Sequence, residues 1–295
     1  MGDDEHQLNG RDIIIYTRSL YPSLSNKEKK IAEFILENHV DLSKMTINEV
    51  SDKLKVSEAT IVKLSKKLHC EGYLSLKKIL SDYVQNKQDE YFQEEYDVND
   101  QPEDIFMKVF RNSIIALQDT MAGFDKNEFK KAVDSLKNVN KVLLLGLGGS
   151  GSIADDIAHK FLKVGIEVQS YRDTHMQLMA ASLLNEGDIA IGISHSGATV
   201  AVNSALQTAR RAGATTICIT NHVKSPITEN ADIQLVSYAN NSPITGENAV
   251  TRIVHLNILD ALYNAVVLNN YQQTTQNLER TNLAVKHQRI HKDNK

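Results

Sequence analysis

Between Lys141 and Val236 short apolar runs alternate with amphipathic stretches. The runs VLLL (142–145) and IAIGI (189–193) show no alternation of polar and apolar residues, as expected for parallel strands covered on both faces. Further strands are predicted at IEVQSY (166–171), TTICIT (215–220) and DIQLVS (232–237). Helical spacing separates them at 153–165, 175–184 and 199–213. Strands connected through helices fold as a doubly wound α/β domain, here with a five-stranded parallel sheet. Ligands of such sheets sit at the carboxyl ends of the strands.

Two loops at that edge carry unusual chemistry. ISHSGAT (193–199) follows the strand DIAIGI and brings the hydroxyls of Ser194, Ser196 and Thr199 to the start of a helix. First-turn N–H groups have no intrahelical partner and the peptide dipoles point at the same place, so an anion such as a phosphate monoester is stabilised there. The bland alternative is a capped helix after a tight turn. GLGGSG (146–151) is the second loop. Its Gly148 and Gly149 let backbone approach a ligand, and Ser150 adds a hydroxyl at a helix start. The same loop also fits the dinucleotide fingerprint, with Asp173 as a ribose partner. That reading leaves the second hydroxyl-rich loop unexplained. His175, at a helix start after the second strand, and His195, inside ISHSGAT, are expected to contact a sugar, whereas His255 reads as a packed histidine in mid-helix. Glu247 is the one carboxylate placed near the edge as a base for isomerisation.

The first third of the chain is helical. SNKEKKIAEFILEN opens with Ser25 and Glu28 at capping-box spacing. TINEVSDKL and SEATIVKLSKKL follow as two short helices around Lys55 and Val56, the second with Ser57 as N-cap. Ile61, Leu64 and Leu68 face inward and leave Thr60, Lys63, Lys66 and Lys67 outside. This is the pattern of a helix-turn-helix whose second helix enters the major groove, with lysines on phosphates and Thr46 at the preceding cap. The alternative is a helical hairpin with a solvated lysine face. Net charge is −4, yet eight lysines face four acidic residues between Ser43 and Leu80, so the basic surface is local. Lys55 fills a turn position that usually holds glycine, at a cost of about 1 kcal/mol if the backbone is left-handed.

These signals divide the chain into a helix-turn-helix domain over 10–86, an acidic linker over 87–102, an α/β domain over 103–270 and a polar tail over 271–295. Cys70 and Cys218, distant and without CxxC spacing, argue against a disulfide scaffold or a cysteine zinc site. No metal site and no cofactor are expected. An acidic, polar start and the lack of a long apolar run lead to the expectation of a cytoplasmic protein without membrane association.

The stretches LSNKEKKIAEFILEN, VSDKLKVSEATIVKLSKKLHCEGYLSLKKIL, GLGGSGSIADDIAHKFLKVG, DTHMQ and ISHSGATVAVNSALQTARRAGATTICIT resemble RpiR-type (MurR/RpiR) transcriptional regulators. These join a helix-turn-helix to a SIS (sugar isomerase) domain. The resemblance implies that Ser150, Ser194, Ser196 and Thr199 hold the phosphate of a phosphosugar, that His175 contacts the sugar, and that the domain senses its ligand without turnover. It also implies a homodimer or dimer of dimers on palindromic double-stranded operator DNA. The chain departs from the family at Lys63, usually Arg, at His69, usually Gly, and at Ala198. The segment NNSPITGENAVTR departs as well, and there Arg252 is a further candidate contact. The expected function is a phosphosugar-responsive regulator, a repressor of a sugar or amino-sugar catabolic operon, and not an enzyme. The alternatives are a sugar-phosphate isomerase with a fused helical domain and a nicotinamide-dependent enzyme.

Overall fold

The computed structural model of the chain describes residues 9–85, 96–239 and 249–286. It divides into two compact units: residues up to Gly123 with His222–Lys224, and the remainder. The first unit contains α1 (Gly10–Leu20), α2 (Asn26–Leu42), α3 (Ile47–Leu54), α4 (Glu58–Lys67), α5 (Tyr73–Gln85) and α6 (Pro102–Ala122). Its helices start where the local chemistry says they should. Asn9 with Asp12, Ser25 with Glu28, and Thr46 with Glu49 each form a capping box, which satisfies two orphan N–H groups reciprocally. The apolar faces of α1 to α5 meet in one core that includes Ile13, Ile35, Leu42, Ile61, Leu68 and Leu80. The run Ile13–Ile14–Ile15 of α1 is apolar without a helical period, so only the Asn9–Asp12 box marks this helix in the sequence. In the fold all three isoleucines are buried.

The second unit contains α7 (Lys126–Leu136), β1 (Val142–Leu145), α8 (Gly148–Lys163), β2 (Val168–Ser170), α9 (Thr174–Ser182), β3 (Ile189–Ile193) and α10 (Val200–Arg211). After these come β4 (Thr215–Thr220), α11 (Pro226–Glu229), β5 (Ile233–Val236), α12 (Ala249–Asn269) and α13 (Tyr271–Val285). All strand pairs are parallel, in the order β2-β1-β3-β4-β5, with Val142 opposite Val168 on one side and Ile189 on the other. Each central strand feeds two cores. Val142, Leu144, Ile191 and Ile217 face α7, α8 and α12, while Leu143, Leu145, Ala190 and Cys218 face α9, α10 and α11. That is why the sequence lacks alternation there: both strand faces are buried.

Two boundaries differ from the sequence reading. The division between units falls after Gly123, so residues 103–123 group with the first unit. The tail assigned to 271–295 is helical over Tyr271–Val285, with residues 287–295 outside the described ones. Its polar residues are used in packing: Asn277 Nδ2 donates to the Val164 carbonyl at 2.9 Å and Thr281 Oγ1 to that of Lys163 at 3.2 Å. They occupy orphan acceptors at the end of α8, which a composition-based reading does not register. Residues 87–95 of the linker also lie outside the described residues. Among the described residues, no helix is long and apolar enough to cross a membrane.

Candidate functional site

The strand order places the reversal of connectivity between β1 and β3, which are neighbours but run on to helices of opposite layers. At such a switch point the loops after adjacent strands diverge and leave a crevice. Both loops singled out in the sequence open onto it.

The loop after β3 is held in one conformation. Ser194 is 3% exposed, its N–H continues the ladder to the Ile219 carbonyl at 3.0 Å, and its Oγ lies 3.0 Å from Thr199 Oγ1. Ser196 Oγ, exposed at the loop tip, accepts from the Ala198 N–H at 3.2 Å. Gly197 has φ +64, and a Cβ there would meet Ser225 Oγ at 2.2 Å, so neither conformation nor space admits a side chain. Asn203 Nδ2 ties down the carbonyls of Gly197 and Thr199 at 3.1 and 3.0 Å, and the His195 carbonyl accepts from the Asn221 N–H at 3.0 Å. The first intrahelical bond of α10 is Asn203 N–H to Thr199 C=O. The N–H groups of Val200, Ala201 and Val202 therefore have no helical partner and point out of the N-terminus.

The loop after β1 has the same character. α8 begins at Gly148 with φ +55, and its first bond runs from the Gly151 N–H to the Leu147 carbonyl at 3.2 Å. The N–H groups of Gly148, Gly149 and Ser150 thus have no intrahelical partner, with Ser150 in the first turn. No side chain caps this helix at Leu147. Two residues not singled out as site residues in the sequence hold this loop. Gln177, fully buried, donates from Nε2 to the carbonyls of Gly146 at 2.9 Å and Tyr171 at 2.6 Å, tying the loop after β1 to the one after β2. Arg172 donates from Nε to Asp155 at 2.7 Å and lies 3.4 Å from both the Gly148 carbonyl and Ser152 Oγ. It brings a cation to the glycine loop.

The remaining candidates fall in different places. His175 is exposed at the second position of α9, beyond β2, on the same sheet edge. Asp173, which the dinucleotide reading needs for a ribose, caps α9 and accepts from the Met176 N–H at 2.9 Å. His195 is half-buried, with its ring centroid 6.4 Å from that of His255. His255 is wholly buried with Nε2 2.9 Å from Ser237 Oγ, as a packed histidine should be. Burial, and to a smaller extent His195, pushes its pKa down to about 3. Arg252 is exposed in the first turn of α12, and no contact among the described residues joins it to the cradle. Glu247 lies outside the described residues.

On the first unit, α3 and α4 meet at the expected turn. Lys55 is left-handed at φ 52, ψ 50, and His69, which closes α4, has φ 62. Ser57 stands at the N-cap of α4 but makes no cap bond, since its hydroxyl pairs with Thr60 Oγ1 at 2.8 Å. Thr46 donates to the Glu49 carboxylate at 2.8 Å within its own cap. Lys63 and Lys66 are exposed and make no ion pair among the described residues. Lys67, one turn after Lys63, differs from both in its partner: it is half-buried, with Nζ 2.5 Å from Glu28 Oε1. Burial acts to raise the Glu28 pKa, but bonds from Lys67 and from the Ser25 N–H and hydroxyl outweigh it and hold the pKa at about 2.

A basic helix-turn-helix followed by an α/β domain with two open helix N-termini at its switch point is the architecture of a DNA-binding regulator with a second, α/β module. Comparison with known proteins agrees. Residues 12–87 match the helix-turn-helix domain of the rpiR family, and residues 135–265 match the SIS domain. The HTH-type transcriptional regulator RpiR of Escherichia coli K12 is 34% identical over 277 residues, which cover 94% of this chain and 93% of that protein. An uncharacterized HTH-type transcriptional regulator of Caldanaerobacter subterraneus is 33% identical over 92% of this chain and 95% of its own. The chain belongs to the RpiR family of HTH-type transcriptional regulators. Among solved structures, the Vibrio vulnificus NanR protein complexed with ManNAc-6P superposes with a TM-score of 0.61 at 23% identity, covering 94% of this chain and 100% of that one. The sugar isomerase domain of an RpiR transcription factor from Sphaerobacter thermophilus has a TM-score of 0.56 at 21% identity, over 60% of this chain and 98% of its own. At these identities the structural likeness speaks to the fold.

Proposed function

We propose that this regulator sets its operator affinity by binding a phosphorylated sugar, without turning it over, and acts as a repressor of a sugar or amino-sugar catabolic operon in the cytoplasm. One observation carries the reading. Two helix N-termini with unpartnered N–H groups, those of α8 and α10, open from adjacent strands, and Ser150, Ser194, Ser196 and Thr199 stand on them. Neutral donors at two helix N-termini on one sheet edge suit a phosphate monoester better than a neutral sugar. Gly148 and Gly149 leave room for it. His175, His195 and Arg252 are the side chains we assign to the sugar. The solved relative named for its complex with ManNAc-6P supports this choice of ligand class.

The DNA half follows from α4, with Ser57, Thr60 and Lys63 at the major groove and Thr46 and Lys66 toward phosphates. We assign Lys67 to the ion pair with Glu28. A homodimer or dimer of dimers on a palindromic operator suits a motif whose half-sites lie about 34 Å apart.

A thermal-shift screen over a panel of sugar phosphates tests the sensor half. Stabilisation should follow RT ln(1 + [L]/Kd), about 2.7 kcal/mol at a hundredfold excess over Kd. It should vanish in the double variant Ser194→Ala, Ser196→Ala and be absent with dephosphorylated sugars. Equal stabilisation by a sugar and its phosphate would overturn the cradle assignment. Conversion of the bound sugar phosphate to its isomer by the wild-type protein would favour the isomerase reading instead.

A further inference from the structure

The first turn of α8 carries a charge of the wrong sign. Peptide dipoles make a helix N-terminus partially positive, which favours acidic neighbours and disfavours cations. α8 has no acidic residue in its first turn, and the side chain laid against that turn is Arg172, from the loop after β2. Its Nη1 lies 3.4 Å from the Gly148 carbonyl and 2.9 Å from where a Cβ on residue 151 would stand, so the glycine at 151 makes the room it occupies. Nη2 lies 3.4 Å from Ser152 Oγ. Both contacts are long for hydrogen bonds, and the donors in them are poorly used. The firm contact is with Asp155, one turn further into the helix. Its Oδ2 receives Nε at 2.7 Å and Nη2 at 2.5 Å, while its Oδ1 accepts from Ser170 Oγ at 2.7 Å. The two side chains are 54% and 45% exposed, and an ion pair so open to solvent holds its partners weakly.

The backbone that carries Arg172 is fixed to the same loop. Gln177 bonds the carbonyl of Tyr171, the residue before it, and that of Gly146. Gln177 is fully buried, yet its Oε1 has no hydrogen-bond partner among the described residues. A buried acceptor left open at this loop calls for a donor from outside the chain, a water or a ligand.

We propose that Arg172 is the cationic member of the phosphate site: its guanidinium gives its Nη donors to a dianionic phosphate at the N-terminus of α8, and the Asp155 carboxylate competes for them. A dianion there is stabilised by the helix end and by the arginine together, which removes the conflict between the two positive charges. A neutral sugar leaves that conflict in place, so Arg172 selects for the phosphorylated ligand.

The inference rests on the phosphate reading of the site, and the test separates the two. Inorganic phosphate is titrated by calorimetry, at fixed ionic strength, into the full-length protein and into variants whose folding is checked by circular dichroism. Arg172→Gln should weaken binding about 10- to 100-fold, the loss of a hydrogen bond between charged groups. Arg172→Lys, which keeps the charge but not the planar fork, should fall between. Asp155→Asn keeps the shape of the side chain and an acceptor for Ser170, and should tighten binding about 2- to 5-fold by releasing the guanidinium. That gain should be absent when Arg172→Gln is combined with it, because a gain from lost negative charge alone would persist. A brace without contact to the ligand would be weakened from either side, so the two single variants would not move in opposite directions. Unchanged affinity in Arg172→Gln, lower affinity in Asp155→Asn, or a gain that survives in the combined variant would overturn the role of Arg172 alone. A wild type that takes up no phosphate, or binding undiminished in Ser194→Ala, Ser196→Ala, would overturn the cradle and this assignment with it.

Discussion

Single residues here are held in states that their neighbours, not their own chemistry, dictate. Burial pushes the Cys218 thiol up to about 12 and the Cys70 thiol to about 11, so both stay protonated and inert. His255 shows the same effect with the opposite sign. Its folded pKa of about 3 lies below the unfolded value near 6.5, so the unfolded chain takes up a proton that the folded chain refuses. Its contribution to stability is complete above about pH 6.5 and is lost as pH falls toward 3, by about 1 kcal/mol per pH unit. Glu28 acts lower, from about pH 4.5 down to 2, as its carboxylate is protonated and loses Lys67 and Ser25. Urea denaturation followed between pH 7 and 4 should show stability falling from about pH 6.5, and His255→Gln should flatten the upper part of that fall. An unchanged profile in the variant would remove His255 from the account. His255 could be read as a packed histidine from its place in a helical pattern. Its partner Ser237, eighteen residues earlier in the chain, could not.

At the scale of elements, the α3–α4 pair shows what spacing does and does not determine. Inward positions at three and four residues place Ile61, Leu64 and Leu68 in the core without ambiguity. The outward lysines are separated only by what lies across from them. Lys66 looks into solvent, whereas Lys67 meets Glu28, thirty-nine positions away. Titration of operator DNA by fluorescence anisotropy should distinguish them. Lys66→Ala should lower the magnitude of the slope of log K against log salt by about one, with folding unchanged. Lys67→Ala should leave that slope intact and cost about 1 to 2 kcal/mol of stability, because Glu28 is then a poorly partnered buried carboxylate. A change of slope with Lys67→Ala would return that residue to the DNA face. The left-handed Lys55 and His69 cost about 1 kcal/mol each relative to glycine, which the packing of the five-helix core outweighs.

At the scale of the molecule, the proposed sensing function requires effector and operator to be linked through one free energy. A coupling of 1 to 3 kcal/mol changes operator affinity about 5- to 150-fold, and reciprocity requires operator DNA to change effector affinity by the same factor. Titrating the effector with and without operator should give that equality. Unequal factors would mean that an additional equilibrium, such as assembly, takes part. The alternation of apolar runs and helices, the two hydroxyl loops and the basic helix pair are local patterns, and each was already decided by the order of residues. They follow from unbroken apolar runs, from a period of 3.6 and from the chemistry of helix ends, which neighbours in sequence suffice to set. Only the tertiary structure decided that the GLGGSG and ISHSGAT loops open from adjacent strands, that Gln177 and Arg172 brace the first of them, and that residues 271–285 form a packed helix. Those facts depend on strand order and on pairings between residues far apart in the chain. No local period encodes such pairings.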